Sequence, residues 1–157
     1  MVPIYFFDFL DGTGWEPIPF AATDVNNYWS ENGVAKALDR APVDFAATLN
    51  GAFWASTKVE APFEWRGRRV RADFTVPQRH HNQRQLTIVV AGELVVEYGE
   101  HGEQSQKVAA NEFWIAEAGV PYTMTAGGDG AIYLESWDGP MSTIETYWHD
   151  DPNWVRR

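Results

Sequence analysis

The side chains best suited to chemistry lie in residues 77–92, PQRHHNQRQLTIVVAG. Counted in steps of two, one face of a strand in this stretch carries Arg79, His81, Gln83, Gln85 and Thr87. His81 can accept or donate a proton near neutral pH, because the unperturbed pKa of histidine is about 6.5. Arg79 can neutralise a carboxylate or an enolate, and its charge would keep His81 neutral. The pattern predicts proton transfer beside a carbonyl group, as in isomerisation, dehydration or cyclisation.

These residues also have a structural interpretation. His81 could be a hydrogen-bonded core residue, and Arg79 could simply pair with Asp73 or Glu135. His80 points to the opposite face by the same count, unless the preceding proline shifts the register by one residue and exchanges the two histidines. The sequence favours His81 as the inward residue and leaves that exchange open.

The strand that holds these side chains continues into an aliphatic run. Apolar residues at positions 86, 88 and 90 repeat with the period of two that is typical of a strand. Residues 91–93 then predict a hairpin turn into residues 94–98. In that hairpin Tyr98 lies opposite Gln85. Gln85, Thr87 and Tyr98 are therefore predicted to bind the substrate.

Further strands are predicted along the rest of the chain. From residue 45 onward, strand-like runs and turn signals alternate, which favours a sandwich or a barrel. The predicted strands cover residues 52–58, 63–65, 68–76, 83–90, 94–98, 105–108, 112–116, 122–125 and 131–137. Residues 127–130, GGDG, predict a second hairpin turn. The pattern indicates an all-β fold.

Residues 1–50 differ from this pattern. Residues 4–10 predict a strand that could pair with a sheet edge or with a second subunit, which suggests a homodimer. Residues 23–40 predict one or two short helices, because apolar residues recur there at helical spacing and Pro42 ends the pattern. The expected organisation is one domain over residues 1–157, with the strand and short helices in 1–50, a barrel in 51–138 and a C-terminal extension in 139–157.

The composition excludes several classes of function. The net charge of -10 disfavours nucleic acid as a partner, since phosphate binding needs a basic surface. The chain has no cysteine, which excludes disulfides, thiolate metal sites and a cysteine nucleophile. Asp8 and Asp11 interrupt the apolar run near the N terminus, so neither a signal peptide nor a membrane span is expected. A cytoplasmic location follows.

Positive charge is concentrated in one segment. Seven of the twelve Lys and Arg residues lie between Lys58 and Arg84. One interpretation is a solvated hairpin whose turn is at residues 66 and 67. The other is a patch that attracts an anionic substrate.

The spacing of the polar residues resembles that of the cupin superfamily. The first cupin motif runs H-x-H, three or four residues, E, six residues and G, and its positions are matched by Arg79, His81, Gln85 and Gly92. The second motif is matched in NEFWIAEAGVPYTMTA, where Tyr122 takes the position of the motif's histidine. The resemblance covers residues 68–137. It implies a double-stranded β-helix, or jelly-roll barrel, with its site inside the barrel.

The resemblance also identifies the positions at which cupins hold a metal. Of those four ligands only His81 is retained, since Arg79, Gln85 and Tyr122 replace the others. Arginine has no lone pair to donate, and glutamine and tyrosine are weaker ligands than glutamate and histidine. A metal-free site is therefore favoured. The alternative is divalent iron, manganese, nickel or zinc on His81 and Gln85, which an approach of His101 would strengthen.

These residues predict an enzyme that acts on a small molecule, with His81, Arg79 and Tyr122 as catalytic residues. The first hypothesis is a metal-independent lyase, isomerase or cyclase acting on a carbonyl-bearing or aromatic metabolite. The second is a mononuclear non-haem metal-dependent dioxygenase. The third is a noncatalytic protein that binds a small ligand. None of the three involves nucleic acid or a membrane.

Overall fold

The structure is a computed structural model that describes residue 4 and residues 6–18, 21–23, 34–36, 40–42, 49–57 and 63–149. The strands in these residues are β1 (Trp15–Pro17), β2 (Ala21–Thr23), β3 (Val34–Lys36), β4 (Arg40–Pro42), β5 (Phe53–Ser56), β6 (Trp65–Val70), β7 (Thr75–His81), β8 (Gln85–Tyr98), β9 (Gln104–Ala109), β10 (Phe113–Ala116), β11 (Tyr122–Trp137) and β12 (Thr146–His149). Two 3-10 turns cover Gly12–Gly14 and Met141–Thr143.

Strands β8 and β11 organise the sheet. β11 pairs with β6, β7 and β8, and β8 pairs in addition with β9 and β10. β5 and β1 extend the sheet beyond β6, while β12 and β3 extend it beyond β7. All of these pairings are antiparallel, and the short β2 and β4 pair in parallel apart from them. The prediction of an all-β fold is confirmed.

The two hairpin turns predicted at residues 91–93 and 127–130 are wrong, because β8 and β11 continue through them as long bent strands. The register between β8 and β11 shifts between Ala126 and Ala131. Gly92 adopts a φ of 70°, and a Cβ there would lie 2.1 Å from the carbonyl oxygen of Gly130. Only glycine fits this bend. Tyr98 and Gln85 therefore lie at opposite ends of one strand and do not face each other.

The basic segment forms strand β6, so the turn predicted at residues 66 and 67 is also wrong. Gly67 lies within β6, where a Cβ would come within 2.9 Å of Ser56 Oγ. The close approach of β5 explains the glycine better than a turn does. The chain leaves β6 after Val70 and turns at Asp73, whose φ is 59°. The single strand predicted over residues 68–76 is thus divided between β6 and β7.

The helix predicted over residues 23–40 is wrong where that segment is described. Val34–Lys36 forms β3 and pairs with β12, and residue 40 begins β4. The helical spacing of apolar residues is overridden here by strand pairing with distant parts of the chain. Residue 23 ends β2, and the remaining residues of the predicted helix lie outside the described part.

The strand predicted over residues 4–10 is wrong over residues 6–10, which form no strand. The rings of Phe7 and Phe9 instead pack on Trp15, with centroids 6.3 and 6.4 Å away. Trp15 Nε1 also donates a hydrogen bond to the Phe9 carbonyl oxygen at 3.1 Å. The segment is anchored on its own chain, so the homodimer stays a prediction without this strand as its basis.

The C-terminal residues 146–149 belong to the sheet, since β12 pairs with β7. Inward-facing apolar residues of the sheet form the core, and the most buried of them include Leu49, Val70, Val76, Val89, Leu94, Met124 and Tyr133. Within the described residues, the search for a helix long and apolar enough to cross a membrane finds none.

Candidate active site

Strands β7, β8 and β11 bury five of the six predicted site residues. Their exposed fractions are 4% for Arg79, 5% for His81, 1% for Gln85, 1% for Thr87 and 2% for Tyr122. The strand register places Tyr122 beside Arg79. The sixth residue, Tyr98, is 37% exposed at the far end of β8. The alternation along the sequence thus buries most of the set, whereas Tyr98, which the register places opposite Tyr122, stays partly exposed.

His81, and not His80, is the inward histidine. His80 lies between the sheet and solvent, where its Nδ1 is 2.6 Å from His149 Nε2 and its ring stacks on Tyr147 at 4.8 Å. A turn at residues 82–84 separates β7 from β8. The inward side chains nevertheless keep the predicted alternation on both strands.

A small cavity of about 60 Å³ lies beside His81. Its polar lining residues among the described part of the chain are Arg66, Arg68, Arg79, His81, Tyr133, Glu135 and Thr146. Phe53, Val76 and Trp148 are among the apolar residues that complete it. A volume of this size corresponds to roughly four to six water-sized positions. We refer to it below as the cationic cavity.

Glu135 holds two of the arginines of the cationic cavity. Its Oε2 lies 2.7 Å from Arg66 Nε and 3.6 Å from Arg68 Nε. Burial alone would raise the pKa of Glu135, but Arg66 and Arg68 outweigh it and lower the pKa to about 2. Glu135 is therefore ionised, and one negative charge is shared between two guanidinium groups.

Arg79 is the third guanidinium, and it has no such partner. No carboxylate of the described residues lies within 4.0 Å of it, so the pairings with Asp73 and Glu135 that the sequence allowed are not formed. Within the described residues its Nη1 donates one long hydrogen bond, 3.5 Å, to the Pro77 carbonyl oxygen. Its guanidinium lies 4.8 Å from the centre of the Tyr122 ring. An anionic group of a ligand would stabilise this buried charge, for which the described residues supply no counter-charge.

His81 has one bound and one unbound nitrogen. Nδ1 lies 3.2 Å from Thr146 Oγ1, and the ring packs edge-on against Trp137 at 5.6 Å. Nε2 is buried without a hydrogen-bond partner. Burial, followed by the positive charge of Arg79, lowers the pKa of His81 to about 3. The imidazole is therefore neutral at physiological pH.

Tyr122 and Gln85 form a hydrogen-bonded chain behind the cavity. The Tyr122 hydroxyl donates to Gln85 Oε1 at 2.5 Å, and Gln85 Nε2 donates to Glu135 Oε1 at 3.1 Å. Burial raises the pKa of Tyr122. Neither Tyr122 nor Gln85 lines the cationic cavity, and Thr87 Oγ1 is buried without a partner. This geometry links the Tyr122 hydroxyl through Gln85 to Glu135.

Tyr122 and Tyr98 line a second, apolar groove of about 330 Å³. The Trp114 ring lies edge-on to Tyr122 at 6.4 Å, and Val96 and Val108 complete its inner wall. The residues predicted as one site are thus divided between two spaces, with the Tyr122 ring and the Arg79 guanidinium in contact at the boundary.

Sequence reasoning missed Arg66, Arg68 and Glu135 as cavity residues. The signal was present, because Arg66 and Arg68 alternate with Gly67 in a strand. β6 pairs with β11 so that Arg66 lies opposite Glu135 and Arg68 opposite Tyr133. The turn assigned to residues 66 and 67 concealed the alternation.

Solved structures with this arrangement of strands include several of one bacterial enzyme. Three variants of oxalate decarboxylase from Bacillus subtilis, which is a cupin, each match with a TM-score of 0.50 and 18% identity, over 59% of this chain and 27% of theirs. The chain has the cupin fold. It spans about a quarter of the length of those enzymes, so the likeness concerns the fold. No known family profile and no curated protein matches the sequence.

The cupin metal positions of this chain do not fit a divalent cation. Arg79 occupies one of them and offers no lone pair, and its charge would repel a cation held by His81. The Gln85 amide and the Tyr122 hydroxyl are engaged with each other. In the described residues no three His, Asp or Glu side chains are grouped so as to hold a metal ion. The side chains at these positions therefore do not support a metal-dependent mechanism.

The low pKa of His81 predicts how the stability of this protein depends on pH. Between the ordinary pKa of 6.5 and the folded value of about 3, the unfolded chain binds the proton and the folded chain does not. The free energy of unfolding should therefore fall as the pH falls below 6.5, by about 2 kcal/mol at pH 5. Denaturant unfolding near pH 7 and pH 5 measures this loss.

The His81→Gln variant is the control for that measurement. The variant lacks the titrating imidazole. Its free energy of unfolding should therefore not show the loss of about 2 kcal/mol at pH 5 that His81 causes. Glu135 does not interfere, since its pKa is lowered from 4.5 and its contribution is lost only below that pH. Equal pH dependence in the two proteins would contradict a buried, neutral His81.

Proposed function

We propose that the chain is a metal-independent enzyme that transfers a proton beside a carbonyl group of a small molecule, as a lyase, isomerase or cyclase does. The observation that carries the proposal is the unpartnered Nε2 of the neutral His81 next to a cavity lined by three guanidinium groups. A general base and a stabiliser for the resulting negative charge are the two groups that such a reaction needs.

The proposed step assigns a role to each cavity residue. His81 Nε2 takes a proton from the carbon next to the carbonyl group, and the electron pair of that bond moves to the carbonyl oxygen. Arg79 stabilises the enolate that forms. Thr146 orients the imidazole through its hydrogen bond to Nδ1. The protonated His81 then returns the proton to the substrate at another atom, or to a leaving group.

Substrate binding would adjust the basicity of His81. With a pKa of about 3 in the ligand-free cavity, the imidazole is a weak base. Because Arg79 contributes to lowering that pKa, an anionic group bound to Arg79 would offset its charge and raise the pKa. The base would thus become effective only when the substrate is in place.

The dimensions of the cavity favour a carbonyl-bearing acid over an aromatic substrate. A space of about 60 Å³ takes only a few non-hydrogen atoms, and polar side chains supply much of its lining. An aromatic ring would suit the apolar groove at Tyr98 and Trp114 better. Of the other hypotheses, a metal-dependent dioxygenase finds no suitable group of ligands among the described residues, whereas a noncatalytic binding protein would use the same cavity without proton transfer.

The proposal is tested by exchange of α-protons. Pyruvate and longer 2-oxo acids are incubated with the protein in D2O, and loss of the α-proton signal is followed by proton NMR before and after treatment with a chelator. Catalysed exchange that survives chelation supports the proposal. Exchange that requires an added divalent metal contradicts it, and tight binding without exchange favours the noncatalytic protein.

A further inference from the structure

We infer that Tyr133 is a further catalytic residue of the cationic cavity, whose hydroxyl donates a hydrogen bond to the carbonyl oxygen of the substrate. The inference rests on the proposed function, since it takes the substrate to be a carbonyl compound bound in this cavity. It goes beyond that function by adding a neutral hydrogen-bond donor to the charged group, Arg79, that stabilises the enolate.

Tyr133 reaches the cavity from a different part of the sheet than the base does. His81 and Arg79 lie on β7, which pairs with residues 122–125 of β11. Tyr133 lies in the other half of β11, which pairs with β6 and β8. All three side chains line the cationic cavity. Because the cavity holds only about 60 Å³, a ligand that fills it contacts the base and Tyr133 at the same time.

Packing holds the Tyr133 ring in place. Tyr133 is paired with Arg68 on β6 and with Val89 on β8, and it is 1% exposed. A closely packed ring in the interior of a sheet has little freedom to move. A donor that is already in position needs no reorganisation when negative charge forms on the carbonyl oxygen, which is the condition for effective electrostatic catalysis.

The Tyr133 hydroxyl is protonated, as a donor must be. Burial raises its pKa most, and Glu135 raises it further. Arg79 and Arg68 oppose this increase with smaller effects. The phenol therefore keeps its proton at physiological pH.

No hydrogen bond joins the Tyr133 hydroxyl to a described residue. In contrast, the Tyr122 hydroxyl donates to Gln85 and the Tyr147 hydroxyl donates to Glu145. A buried hydroxyl that lacks an acceptor is unfavourable, and a carbonyl oxygen in the cavity would supply one. Such a bond strengthens as the carbonyl oxygen becomes the enolate oxygen, because hydrogen bonds to charged acceptors are the stronger ones. Tyr133 would therefore stabilise the transition state more than the bound substrate.

The first test removes only the hydroxyl. In Tyr133→Phe, α-proton exchange of pyruvate should slow by roughly 10²- to 10³-fold, as when one donor to a developing oxyanion is lost. The affinity for pyruvate should fall by less than about tenfold, because the bond to the neutral carbonyl group is weaker.

Tyr147→Phe is the matched control, because it loses the same hydroxyl from a residue next to the cavity. Tyr147 lies on β12 between Thr146 and Trp148, which both line the cavity, but it faces away and stacks on His80. This variant should exchange α-protons within about twofold of the original rate.

A second measurement does not depend on turnover. Carbon NMR of pyruvate labelled with ¹³C at its carbonyl carbon reports how strongly the bound carbonyl group is polarised. A hydrogen bond from Tyr133 withdraws electron density from this carbon, so its resonance should lie downfield of that of free pyruvate. In Tyr133→Phe it should move back toward the free position. Denaturant unfolding should show that the variant is at least as stable as the original protein, because the lost hydroxyl bonds to no described residue.

The outcomes separate the role of Tyr133 from the proposed reaction. Exchange that is as fast in Tyr133→Phe as in the original protein overturns the inference and leaves the proposed reaction intact. The inference is also overturned if the carbonyl resonance is the same in both proteins, or if the variant loses stability, since the hydroxyl would then be bonded within the protein. A carbonyl shift that requires Tyr133, in a protein that exchanges no α-proton, would retain the donor and reject the proposed reaction.

Discussion

Replacing His81 with glutamine is expected to slow α-proton exchange by a factor of about 10²–10⁴, the usual contribution of a general acid-base residue. Glutamine is polar and similar in size, so it can keep a hydrogen bond to Thr146, but it cannot carry the substrate proton. The effect should appear in kcat more than in KM, because Arg79 and the other cavity arginines remain. Exchange rates from proton NMR, measured over a range of substrate concentrations, give both parameters.

The adjacent histidine supplies the control for this variant. His80 lies on the other side of β7, against His149 and Tyr147, and does not line the cationic cavity. His80→Gln should therefore leave the exchange rate within about twofold of the original, since substitutions outside a site usually have small effects. If the two variants lose activity equally, the loss reflects the strand and not the imidazole of His81.

Replacing Glu135 with glutamine is expected to destabilise the protein by about 3 kcal/mol. The substitution keeps the shape of the side chain and removes the negative charge that Arg66 and Arg68 share at 2.7 and 3.6 Å. The described lining of the cavity would then hold three guanidinium groups and no carboxylate. The side chains of Arg66 and Arg68 are 28% and 16% exposed, so solvent moderates the loss. Denaturant unfolding near neutral pH measures it.

An exposed ion pair provides the comparison for Glu135. Arg84 and Glu117 lie 2.9 Å apart, but their side chains are 52% and 63% exposed. Glu117→Gln should therefore cost less than about 1 kcal/mol. Equal losses in the two variants would show that the charge of Glu135 does not balance the cavity arginines.

The strand pattern and the inward set of polar residues could be predicted from the sequence. Alternation along residues 77–90 places Arg79, His81, Gln85 and Thr87 on one side, and all four are buried. This prediction succeeded because successive side chains of a strand point to opposite faces, and that alternation depends only on the local backbone. The cupin motif spacing added the position of Tyr122, which the structure places beside Arg79.

The remaining features depend on pairing between distant strands. Gly92 and Gly67 looked like turn residues, yet one permits a bend and the other a close approach of neighbouring strands. With a turn assigned at residues 66 and 67, the sequence indicates either a solvated hairpin or a patch that attracts an anionic substrate, and it does not predict the contact of Arg66 and Arg68 with Glu135. These arginines lie 67 to 69 residues before Glu135, and a contact over that distance leaves no pattern in the local sequence.

Heteronuclear NMR of the His81 imidazole tests most directly whether His81 is a neutral base whose proton affinity is lowered by burial and by the charge of Arg79. In the ligand-free protein the ring should remain neutral down to about pH 4, because its pKa is lowered to about 3. Saturating pyruvate should raise that pKa and shift the Nε2 resonance, while the Nδ1 bond to Thr146 persists. A ring that titrates near 6.5, or that does not respond to pyruvate, would contradict a neutral His81 beside Arg79.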